Sequence, residues 1–310
     1  MNAIYRSNGI TKQSFHQHLE RMLIQMEEQQ QLLPVISQLR EDHPRMSVRE
    51  MYRLIRPEHI GRDRFIEFCF NHGYQVEVKR SFHRTTNGTG VIRFDNLIVN
   101  REFTGVNQVW VSDITYYRIG DKFDYLTFIM DLYSRLIVGY SVSDNLRTES
   151  TTLPALEMAL KERNPEKGLI LHSDGGGQYY CKVFTALTHH SKIKNSMCES
   201  VYENPHAERV NGTIKNDYVI PYGPQDFNQL KKMVTKAINM YNKQRPHQSL
   251  NGVSPAMFEK ILREKEGINL NEVPPSSLFR SLRSLHKEDG GGNNSIKKLN
   301  NKQQKTVNVC

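Results

Sequence analysis

The sequence predicts an α/β protein, a mixed sheet with flanking helices, preceded by a small helical module resembling a helix-turn-helix. Three observations point there. Residues 109–116, 123–131 and 136–142 are runs rich in β-branched and aromatic side chains, parted by short turns such as Ile119-Gly120-Asp121. Helix-like and strand-like stretches then alternate: a helix over about 149–163, the apolar strand Leu169-Ile-Leu-His172, a helix through Phe184 and Leu187, a strand near 193–197 and a further helix. Upstream, residues 11–73 carry helical periodicity and cap signals instead. The three runs should form an antiparallel meander, and the later helices should cover the sheet.

In order along the chain, residues 1–40 form an amphipathic helical segment, because Phe15, Leu19, Met22, Leu23 and Met26 recur at helical spacing among Gln and Glu. A break is expected near Pro34. Residues 41–78 form the helix-turn-helix-like module. Ser47-Val-Arg-Glu50 is a capping box opening a short helix through Met51, Leu54 and Ile55. In the second helix Phe65, Ile66, Phe68 and Cys69 make the apolar side, with Gly61 in the turn before it and Gly73 placed to end it. Arg49, Arg53, Arg56, Arg62 and Arg64 stud the pair, so Arg62 and Arg64 are its DNA-contact candidates; short helix pairs also serve purely structural roles. Residues 79–106 read as a basic linker, 107–262 as the α/β core, and 263–310 as a C-terminal extension, largely disordered from about 281 for want of apolar periodicity.

Lys and Arg outnumber Asp and Glu by 42 to 33, and the sequence pI is near 9.3, which suits a polyanionic partner. Cys69, Cys181, Cys198 and Cys310 form no C-x-x-C pair, so neither a disulfide framework nor a cysteine zinc site is indicated. No apolar run reaches the ~18 residues of a membrane span, and the N-terminus lacks the apolar core of a signal peptide. A cytoplasmic protein with no membrane partner is expected.

Three carboxylates sit where an α/β sheet places its chemistry. Asp113 lies in the first strand, Asp174 just past the strand ending at His172-Ser173, and Glu208 one turn into a helix with Asn204 as N-cap and Pro205 in the first position. Phosphoryl transfer needs a clamp on the attacking and the leaving oxygen, and two divalent ions ~3.5 to 4 Å apart supply it. Hard oxygen ligands suit Mg²⁺, with Mn²⁺ as a substitute. Three glycines follow Asp174, permitting close approach of a phosphodiester backbone or unusual φ angles. Glu208, Asn211, Gly212 and Lys215 fall at i, i+3, i+4 and i+7, one helical face, with Arg209 beside it.

The ordered blocks Trp110-Val-Ser-Asp113-Ile-Thr-Tyr116, Asp131-Leu-Tyr-Ser-Arg135, His172-Ser-Asp174-Gly-Gly-Gly-Gln178-Tyr179, Tyr202-Glu-Asn-Pro-His-Ala-Glu208-Arg-Val-Asn-Gly-Thr-Ile-Lys215 and Tyr241-Asn-Lys-Gln-Arg245-Pro-His247-Gln-Ser-Leu250 with Ser254-Pro255 resemble the insertion-sequence transposases of the IS-three family, OrfB type, which carry a retroviral-integrase-like catalytic core. The resemblance covers about residues 43–258. It implies an RNase H-like fold for 107–262 and Asp113, Asp174 and Glu208 as the catalytic, metal-holding acids. It also implies metal-dependent strand cleavage and strand transfer and a bacterial, nucleoid-associated setting. The residues themselves offer Lys215, Arg209, Asn211 and Gln178 as DNA contacts, while the Arg245-Pro-His247 block reads as a structural end-piece of the core, with a DNA contact from Arg245 as the alternative. The partners the resemblance implies are insertion-sequence ends, target DNA, an OrfA-type chain or fusion, and further copies of this chain on the DNA. Two departures stand out: 33 residues separate Asp174 from Glu208, two fewer than is typical, and Gly175 stands where an arginine is frequent. The second gives a rival reading, an inactive DNA-binding remnant that represses transposition.

Glu199 and Glu203 compete for the third acidic position, but Glu203 precedes the Asn-Pro helix start and Glu199 lies in the shortened loop. Asp131 is read as tying down a turn, His172 as packed or phosphate-adjacent, and Trp110 as a core anchor. Neither a Ser-His-Asp arrangement nor a Walker loop is present, so nucleotide hydrolysis is not expected.

Overall fold

The computed structural model describes residues 9, 11–76, 93–198 and 204–265. The chain divides into two compact units, Met1–Phe258 and Glu259–Cys310. Most of the expected linker, the loop carrying Glu199, Tyr202 and Glu203, and the tail from 266 lie outside the described residues.

Helix α1 (Lys12–Asp42) begins at Thr11, whose hydroxyl accepts from Ser14 N at 3.1 Å, and it runs through Pro34 without the expected break. Pro34 is exposed, so water can satisfy the carbonyl its ring leaves unpaired. Just beyond it, Ile36 is buried with Leu32 and Leu39 in the helical module's core, which holds the helix on course. Earlier in α1, Leu23 and Ile24 are each 57% exposed, so that stretch of the apolar face is uncovered. Helix α2 (Val48–Ile55) opens on the capping box: Glu50 N donates to Ser47 Oγ at 3.2 Å and Ser47 N to Glu50 Oε2 at 3.1 Å. Helix α3 (Arg62–Asn71) starts at Gly61 and is followed by Gly73 at φ 77, the left-handed geometry that suits glycine. Met46, Met51, Phe65 and Cys69 fill the space between these helices.

The meander forms as the alternation predicts: β1 (Val109–Ile119) pairs antiparallel with β2 (Lys122–Asp131), and β2 with β3 (Ile137–Ser143). Helix α4 (Thr152–Arg163) returns the chain to β4 (Ile170–Ser173), parallel to β1, and α5 (Lys182–His190) leads to β5 (Lys194–Met197), parallel to β4. The order β3-β2-β1-β4-β5 is the mixed RNase H-like sheet. Strand alternation sends Trp110, Ile129 and Leu171 to the face covered by α4 and α5, where Trp110 is fully buried. Val111, Phe128 and Ile170 go to the other face. That face is covered by α6 (Pro205–Gly212), the π-helical stretch Thr213–Val219 and turn Ile220–Tyr222 that continue it, and α7 (Phe227–Lys243). Helix α8 (Pro255–Lys265) follows.

The described end of the expected linker belongs to this core. Leu97 N donates to Ser196 Oγ at 2.9 Å, and Leu97, Ile98 and Phe103 pack on the α6 side. The helical module meets the core through His43, whose Nδ1 lies 2.8 Å from Tyr218 Oη, and through Tyr222, whose hydroxyl donates to Asp42 O at 2.9 Å.

Candidate active site

Parallel strands in register present paired residues to the same face. The β1–β4 ladder ends at the pair Ser112↔Ser173, so Asp113, the next residue of β1, and Asp174, just past the end of β4, come side by side beneath α6. Burial, then Asp174, then Glu208 push the Asp113 carboxyl up to about 7, against the pull of hydrogen bonds from Ile114 N and Asn211. Those bonds are 2.8 Å each, to Oδ1 and Oδ2. Burial also raises Asp174, opposed by Gly176 N, which donates to its Oδ1 at 3.1 Å. Glu208 projects from the exposed side of α6. Among the described residues no three acidic, histidine or cysteine side chains are gathered closely enough to hold a metal ion. Asp113 and Asp174 form the floor of the site and Glu208 stands at its rim. The donors are all hard oxygens, and the crowding that raises Asp113 is the kind of charge excess a divalent cation offsets, so the set suits Mg²⁺ chemically.

Two asparagines tie α6 to β1. Asn211 grips Asp113, and Asn204 donates through Nδ2 to Ser112 O at 3.1 Å. Asn204 occupies the N-cap position, yet its side chain makes no cap bond and serves this long-range tie. The glycine loop is held from the opposite face, where Tyr179 Oη lies 2.9 Å from Ser112 Oγ. None of Gly175, Gly176 and Gly177 has positive φ, so unusual backbone angles are not their purpose. A Cβ on Gly176 would stand 3.0 Å from Asp174 Oδ1 and crowd the carboxylate; one on Gly175 would meet the mobile end of Met197 at 2.7 Å.

The other expected contacts separate. Lys215 lies with Nζ 4.4 Å from the centre of the Tyr116 ring, and burial lowers its pKa. The regular α-helix assumed for the i to i+7 face ends at Gly212, and Lys215 sits in the π stretch, displaced from that register. Arg209 is exposed on α6. Asn211 is buried, so it orients Asp113 and does not face outward. Gln178 Nε2 donates to Leu146 O at 3.0 Å, fastening the loop. Arg245, its side chain 13% exposed, is paired with Asp217 at 2.9 Å inside the core. Arg62 and Arg64 are exposed on α3, remote in sequence from the acids, with Arg62 paired to Asp63 at 2.8 Å. Asp131 holds its turn, accepting from Ser134 N at 2.8 Å, Tyr133 N at 3.0 Å and Asn107 N at 2.6 Å. His172 is buried with Nδ1 2.9 Å from Ser196 Oγ.

Sequence reasoning missed one group. Arg135, in the turn between β2 and β3, has Nη1 2.8 Å from His206 Nδ1 on the first turn of α6. Burial, then Arg135 and Arg209, bring His206 down to about 4, so it is neutral near pH 7 and accepts this bond. The Ser-Arg pair inside the Asp131 block was the available signal.

Residues 104–202 match the family model described as Integrase core domain, and residues 189–255 match a second of that description. The insertion element IS600 uncharacterized 31 kDa protein of Shigella sonnei is 34% identical over 206 residues, 65% of this chain and 75% of that protein. Transposase InsF for insertion sequence IS3A of Escherichia coli (strain K12) is 29% identical over 195 residues, 60% of this chain and 66% of that protein. Among solved structures, the HTLV-2 integrase catalytic core domain in complex with magnesium is 21% identical, with a TM-score of 0.40 over 49% of this chain and 95% of that one. With three quarters of the IS600 protein matched at that identity, this chain belongs to the IS3-family insertion-sequence transposases, which carry an integrase core.

Proposed function

We propose that this chain performs DNA strand cleavage and strand transfer in transposition, with Asp113, Asp174 and Glu208 as its catalytic acids and Mg²⁺, or Mn²⁺ in its place, as the cofactor. The observation that carries the reading is that Asp113, inside β1, and Asp174, just past the end of the neighbouring β4, stand close enough for Asp174 to raise the Asp113 carboxyl, under the helix that bears Glu208. When bound, divalent ions at these oxygens supply Lewis-acid activation of the attacking oxygen and neutralise charge on the leaving one.

The chain's own groups do the positioning. Asn211 and Ile114 N fix both oxygens of Asp113, and Gly176 N fixes one of Asp174, so the acids keep their orientation as DNA arrives. Water attacks a phosphodiester at the element end and releases a 3′-hydroxyl; that hydroxyl then attacks a second phosphodiester and displaces its 3′-oxygen. One P–O bond forms as one breaks in each step, so the joining step needs no nucleotide energy source. Arg62 and Arg64 on α3 and Lys215 beside the site offer cationic contacts to the backbone. An OrfA-type partner and further copies of this chain complete the assembly on DNA.

All three acids are present, which supports an enzyme over a repressor remnant. The test incubates the full chain and Mg²⁺ with a duplex carrying the inverted repeat that flanks the gene, plus a target plasmid. Joined end–target products are expected. Nicked ends without joining would replace transfer with simple nuclease activity, and binding without either product would leave the remnant.

A further inference from the structure

We infer that Arg135, His206 and Arg209 form a second phosphate site, which grips the DNA backbone beside the reacting phosphodiester; the inference rests on the function proposed above. Helix α6 turns ~100° per residue. With Ala207, Val210 and Asn211 turned to the sheet, Glu208 and His206 fall on opposite edges of the outward face, and Arg209 lies between them. Arg135 reaches the His206 edge from the β2–β3 turn, with its Nη1 2.8 Å from the ring. The outward face of this helix thus carries the catalytic acid on one edge and two guanidiniums across the rest.

The local charge balance favours binding of an anion here. Neither Arg135 nor Arg209 has a carboxylate within ion-pair distance among the described residues, whereas Arg245, farther along the chain, is matched by Asp217. Arg135 is half-buried, and burial and the nearby Arg209 both work against its charge. Asp131 is near, but Asn107, Tyr133 and Ser134 engage its oxygens. Two crowded guanidiniums, one partly desolvated, are costly unless an anion joins them. Their forked donors suit phosphate. The polyanion this chain handles supplies phosphates at a rise of ~3.4 Å per nucleotide, and a helix with its side chains is ~10 to 12 Å across. A strand lying over α6 therefore places the reacting phosphate at Glu208 and one about three nucleotides away at Arg135.

Methylphosphonate substitution tests this, because it removes one backbone charge at a time. The full chain is titrated, in EDTA, with fluorescein-labelled duplexes of the flanking inverted repeat that carry a single methylphosphonate at successive positions near the terminal cleavage site. Wild type should lose about tenfold in affinity at one or two positions, the scale of a charge-assisted hydrogen bond. Arg135→Ala should bind the unmodified duplex about tenfold more weakly, yet be indifferent to the methylphosphonate at its own position. Arg209→Ala, at an exposed site that cannot unfold the chain, should be indifferent at the neighbouring position. Equal losses in wild type and both variants, at every position and with unchanged melting temperatures, would overturn the site and leave Arg135 a clip for α6. If Arg135→Ala melts early, the Arg209→Ala result alone decides. The readout needs no metal, so a chain that shows the coupling but never cleaves would sink the proposed activity and keep this site; one that cleaves without the coupling would do the reverse.

Discussion

Asn211 Nδ2 donates to Asp113 Oδ2 across 2.8 Å, joining the helix that carries Glu208 to the strand that carries Asp113. The bond fixes a carboxylate that burial and two neighbouring acids already disfavour in its charged form. Asn211→Ala should slow Mg²⁺-dependent cleavage by about tenfold and raise the Mg²⁺ concentration needed for half-maximal rate, the scale of losing an outer-sphere partner. Asn211→Asp should be worse, since it adds like charge. A cleavage rate and Mg²⁺ dependence unchanged in Asn211→Ala would show that the bond does not position Asp113.

Lys215 is expected to contact a backbone phosphate from its place over the Tyr116 ring. Partial burial makes its charge more effective, because solvent screens it less. Lys215→Ala should weaken end binding and lower the slope of log affinity against log salt by ~1. Superimposable salt series for wild type and variant would assign the lysine to packing alone.

Gly139 lets α4 lie directly on β3. A Cβ there would run into the carbonyl of Ala155 and come within 2.8 Å of Ala159 Cβ, neither of which can swing aside. Gly139→Ala should destabilise the fold by about 2 kcal/mol, within the range for overpacking a close interface. Chemical denaturation measures this; a loss under about 0.5 kcal/mol would mean that the helix shifts freely.

His247 packs edge-on against Tyr241, with ring centres 4.8 Å apart. Burial first, then Arg245 and Arg135, hold its pKa down at about 4. The unfolded chain binds this proton near the ordinary value of about 6.5, so stability from this site is complete above pH 6.5 and falls as pH drops toward 4. His247→Gln should flatten that part of the melting-temperature profile, by at most about 3 kcal/mol at the acid end. The difference between variant and wild type isolates this group from His206, which is also depressed, and from Asp113, whose raised value acts in the opposite direction. Parallel profiles would contradict a neutral buried His247.

What the sequence disclosed, it disclosed through local signals. Alternating β-branched runs marked β1 to β3 within a few residues, Ser47 and Glu50 announced α2, and the strand patterns placed Asp113 inside β1 and Asp174 just past the end of β4. Ties between residues far apart carried no such signal. Asn204 looked like a cap because caps are local, yet its amide reaches Ser112, 92 positions away. Gln178 looked like a free polar group until the fold supplied Leu146 O as its acceptor, and the structural role read for the Arg245 block gained a partner, Asp217, that no local signal named. The π stretch after Gly212 is likewise set by packing of Ile214, Tyr218 and Val219 against the sheet, and it displaced the face on which Lys215 was expected. Pro34 failed to break α1 because tertiary contacts on its C-terminal side outweigh one lost hydrogen bond.

The central claim is that Asp113, Asp174 and Glu208 do the chemistry and leave binding to other residues. The most direct test compares the full chain with Asp113→Asn, Asp174→Asn and Glu208→Gln, measuring Mg²⁺-dependent strand transfer and, in EDTA, affinity for the same inverted-repeat duplex. Each variant should lose at least about a thousandfold in transfer, because a metal-holding charge is gone, while its affinity stays within a few-fold of wild type. Near-normal transfer by any one of the three, with that affinity intact, would contradict the assignment of that acid.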